Sequence, residues 1–309
     1  MTVRLGWVAG WWMTVLAAAV ALESSTAAAR SGGPAVMTGG RFVYTAVPGD
    51  SISIVSARYG VEPRVIARVN DLSPTARLRV GQTLTIDNRH LIPEPFPAPI
   101  TINIPQRLLF LSGAAGSVIA YPIGLGRASW PTFVGPFRVT LLEVNPVWDV
   151  PPSIQEELHR LGKPVVTKVL PGPDNPLGQY WIGLDRSGYG IHGTNAPASI
   201  YHFQTHGCIR LHPDDIARLF GRVTLGMRGE IVYRPILLAR ADDGTVWLEA
   251  HSDVYHRSPD GLAVVRELAS YEELEAEMDW MAVRAALQTR QGTPVDVTRR
   301  TLPAGTRSR

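Results

Sequence analysis

One stretch near the middle of the chain concentrates the side chains that could do chemistry. Residues 191–211 (IHGTNAPASIYHFQTHGCIRL) hold three of the eight histidines and the only cysteine among 309 residues. His192 stands fourteen residues before His206, and Cys208 follows His206 and Gly207. That interval suits a loop or hairpin that returns one histidine toward the other.

Three uses of this stretch are consistent with its residues. In the first, imidazole and thiolate groups bind zinc, with ligands drawn from His192, His202, His206, Cys208 and His212. The spacing is poor for this use, because His206 and Cys208 are two residues apart and no C-x-x-C pair is present. In the second, Cys208 is a small buried hydrophobic residue that does no chemistry.

The third use is a thiol nucleophile, which needs a base and a place for an oxyanion. The thiolate is the reactive form of cysteine, and a neighbouring imidazole can take the proton of the thiol. Gly207 favours a tight turn that presents Cys208, and the backbone amides of such a turn can receive the oxyanion of an acyl-transfer intermediate. The polar, glycine-containing setting therefore favours chemistry over packing.

The composition describes a soluble globular protein of about two domains, with 45% hydrophobic and 18% charged residues. The net charge is +3, and no block of lysine or arginine marks a nucleic-acid-binding surface. We expect no nucleic-acid partner.

The first 29 residues predict a secretory signal peptide that is cut after Ala29. Arg4 precedes an apolar run over residues 5–22, and Ala27 and Ala29 form an A-x-A pattern. The run is close to the shortest bilayer span, so an uncleaved anchor is the alternative, and only then would the chain be held in a membrane. In both cases the folded part is exported, where a lone cysteine makes no disulfide within its chain.

Residues 41–87 predict a small independent module. RFVYTAV predicts a strand, apolar residues at helical spacing over 52–59 predict a short helix, and Pro63 opens a second one. LRVGQTLTID supplies a turn glycine and a closing strand. With VPGDSISIVSARYGV and Asn70, the unit resembles a LysM module. The resemblance implies an α+β fold of order βααβ that binds N-acetylglucosamine-containing glycans, and a spacer that binds nothing is the alternative.

Residues 88–99 predict an extended, semi-rigid linker, because proline recurs at every second position, at Pro93, Pro95, Pro97 and Pro99. Over residues 100–236, short runs rich in β-branched residues are separated by glycine and proline. This pattern predicts a mainly β body with a few short helices.

Residues 237–288 predict a carboxy-terminal extension. A hairpin turn is centred on Asp243 and Gly244, and Ser270 with Glu273 forms a capping box typical of a helix start. Residues 289–309 are rich in Thr, Arg, Pro and Gly and predict a disordered tail.

A family resemblance becomes specific at the central stretch. His192, followed by Thr205, His206, Gly207, Cys208 and Arg210, resembles the active-site signature of the YkuD-type L,D-transpeptidases. The similarity extends backward through YPIGLGRASWPT, NPVWDVPPSI and PGPDNPLGQYWIGL and forward through PDDIARLF to about Val232, which is nearly the whole second domain. IHGTN, the HGCIRL ending and the LysM neighbour are most similar to the ErfK/YbiS branch. The implied fold is a β-sandwich or barrel with short helices.

The resemblance also implies a role for each matching residue. Cys208 would attack a peptidoglycan tetrapeptide stem, and His192 would be the general base, oriented by the carbonyl of Gly193. Amides around Gly207 and Cys208 would form the oxyanion hole. Three further residues would shape or brace the site: His206, Thr205 and Arg210.

The implied function is acyl transfer in the cell envelope, at the periplasmic side. A thioester would form with loss of D-alanine and pass to an amine, either a second stem in a 3-3 cross-link or a lysine of an outer-membrane lipoprotein. Two alternatives stay open: hydrolysis by the same site, and a non-catalytic protein that only binds peptidoglycan. No cofactor or metal is needed for this chemistry. His202 and His212 match no catalytic position.

Overall fold

A computed structural model describes residues 36–94, 96, 98–257 and 260–300. The predicted signal segment (1–29) and residues 301–309 of the predicted tail lie outside the described residues, as do Pro95 and Pro97 of the predicted linker. Within the described ranges, no helix is long and apolar enough to cross a membrane.

The amino-terminal part contains two strands and two helices in the order βααβ, flanked by two short strands. Its elements are β1 Met37–Thr38, β2 Arg41–Thr45, α1 Ile52–Tyr59, α2 Pro63–Val69, β3 Thr83–Asp87 and β4 His90–Leu91. We call residues 41–87 the small module. Strands β2 and β3 pair antiparallel. The helices pack apolar side chains such as Ile52, Val55 and Ile66 onto one face of this pair, where they join Leu84 and Ile86 of β3 in one core.

Asn70 joins the second helix of the small module to its closing strand. The Asn70 side-chain amide donates to the carbonyl oxygens of Ile66 at 2.8 Å and Thr85 at 2.9 Å. Its carbonyl oxygen Oδ1 accepts the N–H of Thr85 at 2.7 Å. One half-buried side chain therefore satisfies three backbone groups that the loop would otherwise leave unpaired.

The segment predicted as a linker (88–99) is partly built into the fold. Strand β4 pairs antiparallel with β1, with Leu91 opposite Met37. His90, Leu91 and Ile92 are buried. Residues 90–92 are therefore a buried, paired segment, whereas the prediction placed them in an extended linker. Their side chains have apolar and polar partners elsewhere in the chain, which the proline pattern does not indicate.

The larger body is mainly β with a few short helices, as predicted. Its elements are β5 Ile100–Asn103, β6 Leu108–Ser112, β7 Val118–Gly126, β8 Gly135–Val144, β9 Trp148–Asp149, α3 Pro152–Arg160, β10 Lys168–Val169, β11 Tyr180–Leu184, β12 Gly190–His192, β13 Phe203–Thr205, β14 Ile209–Leu211, α4 Pro213–Phe220 and β15 Arg228–Val232. Strands β9 and β10 pair with each other on either side of α3.

Eight strands of this body close into a ring. Their order is β7, β14, β12, β11, β8, β15, β5 and β6, and β6 pairs again with β7. Closure leaves no open edge in the ring, and branched side chains from its strands fill the interior; these include Ile102, Ile123, Ile182, Ile191 and Ile209. Strand β13 pairs in parallel with the end of β7.

Strands β12 and β14 run parallel. A parallel pair needs a crossover, because its strands cannot be joined by a tight turn. The connection over residues 193–208 contains the 3₁₀ turn Pro197–Ser199 and strand β13. The predicted return of the chain from His192 toward Cys208 is therefore a crossover and not a hairpin.

The carboxy-terminal unit packs a three-stranded sheet against two helices. Its elements are β16 Ile236–Arg240, β17 Val246–Ala250, α5 Gly261–Tyr271, α6 Trp280–Thr289 and β18 Val295–Asp296. The predicted helix start at Ser270 is wrong, because Ser270 lies in the last turn of α5. The second helix begins after Asp279, whose carboxylate accepts the N–H of Met281 at 2.8 Å.

The predicted disordered tail does not hold for residues 290–300. Strand β18 pairs with β17, with Val295 opposite Leu248. The side chain of Val297 is fully buried. The prediction relied on the polar composition of this stretch and overlooked Val295 and Val297, which extend the core of the carboxy-terminal unit.

Candidate active site

Strands β12 and β14 place the side chains of His192 and Arg210 on one face of the barrel wall. Their parallel register sets Ile191 opposite Ile209 and His192 opposite Arg210. Side chains alternate along a strand, so the two fully buried isoleucines enter the core while His192 and Arg210 point to the other face. Cys208 stands two residues before Arg210 and by the same alternation lies on that face.

A tight turn holds Cys208 at the start of β14. The hydroxyl of Thr205 donates to the carbonyl of Cys208 at 2.6 Å and accepts the N–H of Gly207 at 3.2 Å. Gly207 has φ +108°, and a Cβ at this position would lie 2.9 Å from Cε1 of Tyr189. Both the left-handed backbone and the close ring require glycine here.

The turn is supported from behind by Thr132 and Tyr255. The buried Thr132 hydroxyl donates to the carbonyl of Gly207 at 2.9 Å and accepts the N–H of Gly126 at 2.9 Å. The Tyr255 hydroxyl donates to the carbonyl of Gly126 at 2.5 Å and accepts the N–H of Thr132 at 3.2 Å. Tyr255 follows β17, so a residue outside the predicted catalytic domain (100–236) braces the turn.

The thiol of Cys208 is partly exposed, and Sγ donates to the carbonyl of Gly188 at 3.4 Å. Burial raises the pKa of the thiol above its usual value, although a backbone hydrogen bond from Gly190 and the charge of Arg210 partly offset this. The resting group at neutral pH is therefore the thiol, and a base is needed to convert it to the reactive thiolate.

His192 is a neutral imidazole whose tautomer is set by its backbone partner. Its Nδ1 lies 2.7 Å from the carbonyl oxygen of Gly193, which can only accept, so Nδ1 carries the proton and Nε2 is an acceptor. Burial, and then the charge of Arg210, lower the pKa of His192 to about 3. The ring of Trp181 stacks on the imidazole, with centroids 5.8 Å apart and planes at 24°. Trp181 was not anticipated from the sequence.

Arg210 acts on the pKa of both Cys208 and His192. Its Nη1 donates to the hydroxyl of Ser199 at 2.9 Å. Its positive charge lowers the pKa of Cys208 and that of His192. The guanidinium therefore favours a thiolate and opposes a positively charged imidazole beside it.

His206 faces away from this chemistry and toward α3. Its Nε2 contacts the carboxylate of Glu157 and lies 3.2 Å from Nη2 of Arg127. The edge of its ring meets Trp130, with centroids 4.8 Å apart. The hydrogen bonds from His206 and then Arg127 lower the pKa of Glu157. His206 thus connects the turn that holds Cys208 to α3 through the carboxylate of Glu157, which nothing in the local motif indicated.

His202 and His212 lie in structural positions. The carbonyl of His202 accepts the N–H of Leu125 at 3.0 Å. His212 caps α4, where its Nδ1 accepts the N–H of Asp214 at 3.3 Å. Among the residues that the structure describes, the five side chains considered as zinc ligands do not converge into a group of three.

A second polar cluster lies at the junction of the small module, β4 and β17. Nδ1 of His90 is 2.8 Å and Nε2 of His251 is 2.7 Å from the same carboxylate oxygen of Glu249. Nε2 of His90 lies 2.9 Å from the carbonyl oxygen of Gly60. All three side chains are buried, and their ligand atoms lie within 4.8 Å of one another.

The distances within this cluster fit hydrogen bonds better than the coordination of a metal ion. The separations are hydrogen-bond lengths, and neighbouring ligands around a tetrahedral zinc lie roughly 3.3 Å apart. The two ring nitrogens of His90 face the carboxylate of Glu249 and the carbonyl oxygen of Gly60, both of which are protein groups at hydrogen-bond distance. Burial alone would raise the pKa of Glu249, but the two histidines lower it to about 2.

Comparison with known proteins identifies two domains. The model of the L,D-transpeptidase catalytic domain (YkuD) matches residues 97–233, and the LysM domain model matches residues 44–87. The probable L,D-transpeptidase ErfK/SrfK of Escherichia coli is 31% identical over 256 residues, which are 78% of this chain and 80% of that protein. The probable L,D-transpeptidase YcfS of Escherichia coli is 29% identical over 93% of this chain and 95% of its own.

Solved structures give a weaker likeness. The L,D-transpeptidase from Mycobacterium smegmatis is 20% identical, with a TM-score of 0.35 over 50% of this chain and 64% of that chain. The chain thus spans less than two thirds of that solved protein. The family assignment rests on the sequence relatives.

Proposed function

The chain belongs to the L,D-transpeptidase family, and from this premise we propose an exported cysteine acyltransferase that acts on peptidoglycan stem tetrapeptides. The observation that carries the proposal is the register of β12 and β14. It sets His192 opposite Arg210, which follows Cys208 by two residues and acts on the pKa of both His192 and Cys208.

Acylation begins with Cys208 and His192. As Sγ of Cys208 attacks the amide carbonyl carbon between the diamino acid and the terminal D-alanine, Nε2 of His192 takes the thiol proton. The carbon–nitrogen bond then breaks, and the proton passes from His192 to the leaving amine of D-alanine. The enzyme is left as a thioester.

The oxyanion of this step needs backbone donors beside Sγ. The N–H of Gly207 already donates to the hydroxyl of Thr205 at 3.2 Å. The amide of Cys208 is therefore the main oxyanion donor in our proposal, with Gly207 contributing once its long hydrogen bond weakens. Thr132 keeps this amide in place, because it holds the carbonyl of Gly207 in the same peptide group, and Thr205 holds the carbonyl of Cys208 in the next one.

The second half of the reaction regenerates the thiol. An amine attacks the thioester carbon, His192 accepts a proton from that amine, and Sγ leaves and is reprotonated. With a diamino acid amine of a second stem the product is a 3-3 cross-link, and with a lipoprotein lysine it is an attached lipoprotein. With water the same site is a carboxypeptidase. We propose the stem amine as the main acceptor.

The LysM domain supports a place for this reaction on the cell wall. A LysM domain matches residues 44–87, and in our proposal it binds the glycan strands whose stems the barrel acylates. The cell envelope, at the periplasmic side, is the proposed location. A protein that only binds the wall is disfavoured, because the chain belongs to an enzyme family.

The proposal is tested with a purified disaccharide tetrapeptide, with and without a second stem as amine donor. We expect release of D-alanine and a cross-linked dimer from the wild type, and neither product from Cys208→Ala. D-Alanine without dimer at saturating amine would replace transfer by hydrolysis. No D-alanine from folded, reduced wild type would contradict acyl transfer altogether.

A further inference from the structure

The loop that joins His192 to Cys208 is packed against the small module. Ile200 and Tyr201 of this loop are 0% and 1% exposed. They form a separate apolar cluster with Ala57 of α1. The small module therefore supplies the core partner of a loop that is bounded by the two proposed catalytic residues.

Arg107 connects the same loop to the second helix of the module. Its guanidinium carbon lies 3.9 Å from the centroid of the Tyr201 ring, and Nη1 donates to the Tyr201 carbonyl at 3.2 Å. Its Nη2 pairs with the carboxylate of Glu62, which stands at the N-terminus of α2. Burial alone would raise the pKa of Glu62, but Arg107 lowers it, so the pair is ionised at neutral pH.

Arg107 and Tyr201, which contact each other, both have strained backbone conformations. Arg107 has φ +55° and Tyr201 has φ +64°, in the left-handed region that side chains disfavour. Both are hydrogen-bonded to Ile123 of β7, whose N–H donates to Arg107 and whose carbonyl accepts from Tyr201. Such conformations persist only where surrounding contacts over-determine them, and here Glu62 and Ala57 of the small module supply part of those contacts.

The loop in turn holds Arg210. Ser199, two residues before Tyr201, accepts the hydrogen bond from Nη1 of Arg210 at 2.9 Å. The packing is close, because a Cβ on Gly124 would lie 3.1 Å from the Ser199 carbonyl oxygen and 3.4 Å from Cβ of Arg210. A displaced loop would therefore move the guanidinium that acts on the thiol.

We infer that the small module is a positioning element of the acyl-transfer site as well as a wall-binding domain. The Glu62–Arg107 ion pair fixes the position of Tyr201. Tyr201 in turn fixes the loop that carries Ser199, and Ser199 accepts the hydrogen bond that positions Arg210. Glu62 and Arg107 are positioning residues, since neither contacts the reacting atoms. The inference rests on the proposed function, because it assigns the module a part in the same site.

The test compares Glu62→Gln, Glu62→Asp and Ser199→Ala in the full chain. The matched control is Arg68→Gln, because Arg68 joins the module to Gln291 at 2.5 Å without touching the loop. Two rates are measured: meropenem acylation of Cys208 by intact mass, and iodoacetamide alkylation of the same thiol as a function of pH. Since Cys208 is the only cysteine, both signals report one site.

We expect Glu62→Gln and Ser199→Ala each to slow acylation about tenfold or more. Each should also raise the pH midpoint of alkylation by about half a unit or more, because the cation moves away from the thiol. Glu62→Asp should recover part of the loss, and Arg68→Gln should stay within about twofold of the wild type.

Wild-type rates and midpoint in a folded Glu62→Gln variant would overturn the inference. A loss in Glu62→Gln that Ser199→Ala does not reproduce would contradict the path through Arg210. If wild type forms no meropenem adduct, the proposed function fails instead, while the alkylation midpoints still decide whether the module positions Arg210.

Discussion

His192 lies opposite Arg210 across the parallel strands β12 and β14. Arg210 lowers the pKa of His192, which burial has already lowered, and it also lowers the pKa of Cys208. The resting pair is therefore a neutral imidazole and a neutral thiol. In the proposed reaction charge therefore develops only as the thiol attacks, and the base and the oxyanion donors act in the transition state.

His192→Gln separates general-base catalysis from thiol reactivity. We expect the rate of acylation by a carbapenem to fall about 10²–10⁴-fold, because no group near Sγ can take its proton. Alkylation by iodoacetamide at a pH above the pKa of the thiol should match the wild type, since the thiolate is already formed. Equal losses in both reactions would show that the substitution only disrupts the turn.

The buried imidazole of His192 also predicts how stability depends on pH. Its pKa is about 3 in the folded chain and near 6.5 when unfolded. Between these values the unfolded state binds a proton that the native state does not. The free energy of unfolding therefore falls on acidification, by up to about 1.4 kcal/mol per pH unit from this group.

His192→Gln removes that one-proton dependence and leaves the other titrating groups in place. Urea unfolding between about pH 7.5 and 4.5 should give a shallower fall in stability for the variant than for the wild type. Parallel curves for the two proteins would mean that His192 is protonated in the native state.

Gly207→Ala should damage both the fold and the site. The left-handed backbone costs about 1–3 kcal/mol for alanine, and the new Cβ would meet the ring of Tyr189 at 2.9 Å. Gly226→Ala is the matched control, with φ +79° and open space around its Cβ. We expect carbapenem acylation to be lost only at Gly207, and Tyr189→Ala to restore part of it. Equal acylation in both single variants would count against the assigned turn.

Glu249→Gln tests the buried cluster at the module junction. The change removes a buried carboxylate that His90 and His251 both contact, and removing one partner of a buried pair costs about 3–5 kcal/mol. Glu267→Gln, on the exposed face of α5, should change stability by no more than about 0.5 kcal/mol. The melting temperature of the wild type should not respond to a chelator. A fall on chelation would establish that these residues hold a metal.

The central part of the site could be predicted because it is local in sequence. Thr205, Gly207 and Cys208 build one turn, and the residue types alone indicate a thiol beside a tight backbone. A return of the chain from His192 toward this turn was predicted as a loop or hairpin, and the connection is a crossover between parallel strands. Asn70 was likewise visible as part of a short module with a recognisable pattern.

The supports of the site could not be predicted, because they come from distant segments. Glu157 reaches His206 from α3, and Tyr255 reaches Gly126 from beyond β17. Neither residue has a sequence neighbour that indicates its partner. The capping pattern at Ser270 gave a wrong prediction for a related reason. The local pattern is typical of a helix start, but Ser270 lies in the last turn of the longer helix α5.

The most direct test of the account is the intact mass of the reduced, folded protein after incubation with meropenem. Wild type should gain the mass of one carbapenem, and Cys208→Ala should gain none. Arg68→Gln, which leaves the site untouched, should be labelled like the wild type. An unlabelled wild type, or an adduct that survives in Cys208→Ala, would contradict the assignment of Cys208 as the nucleophile.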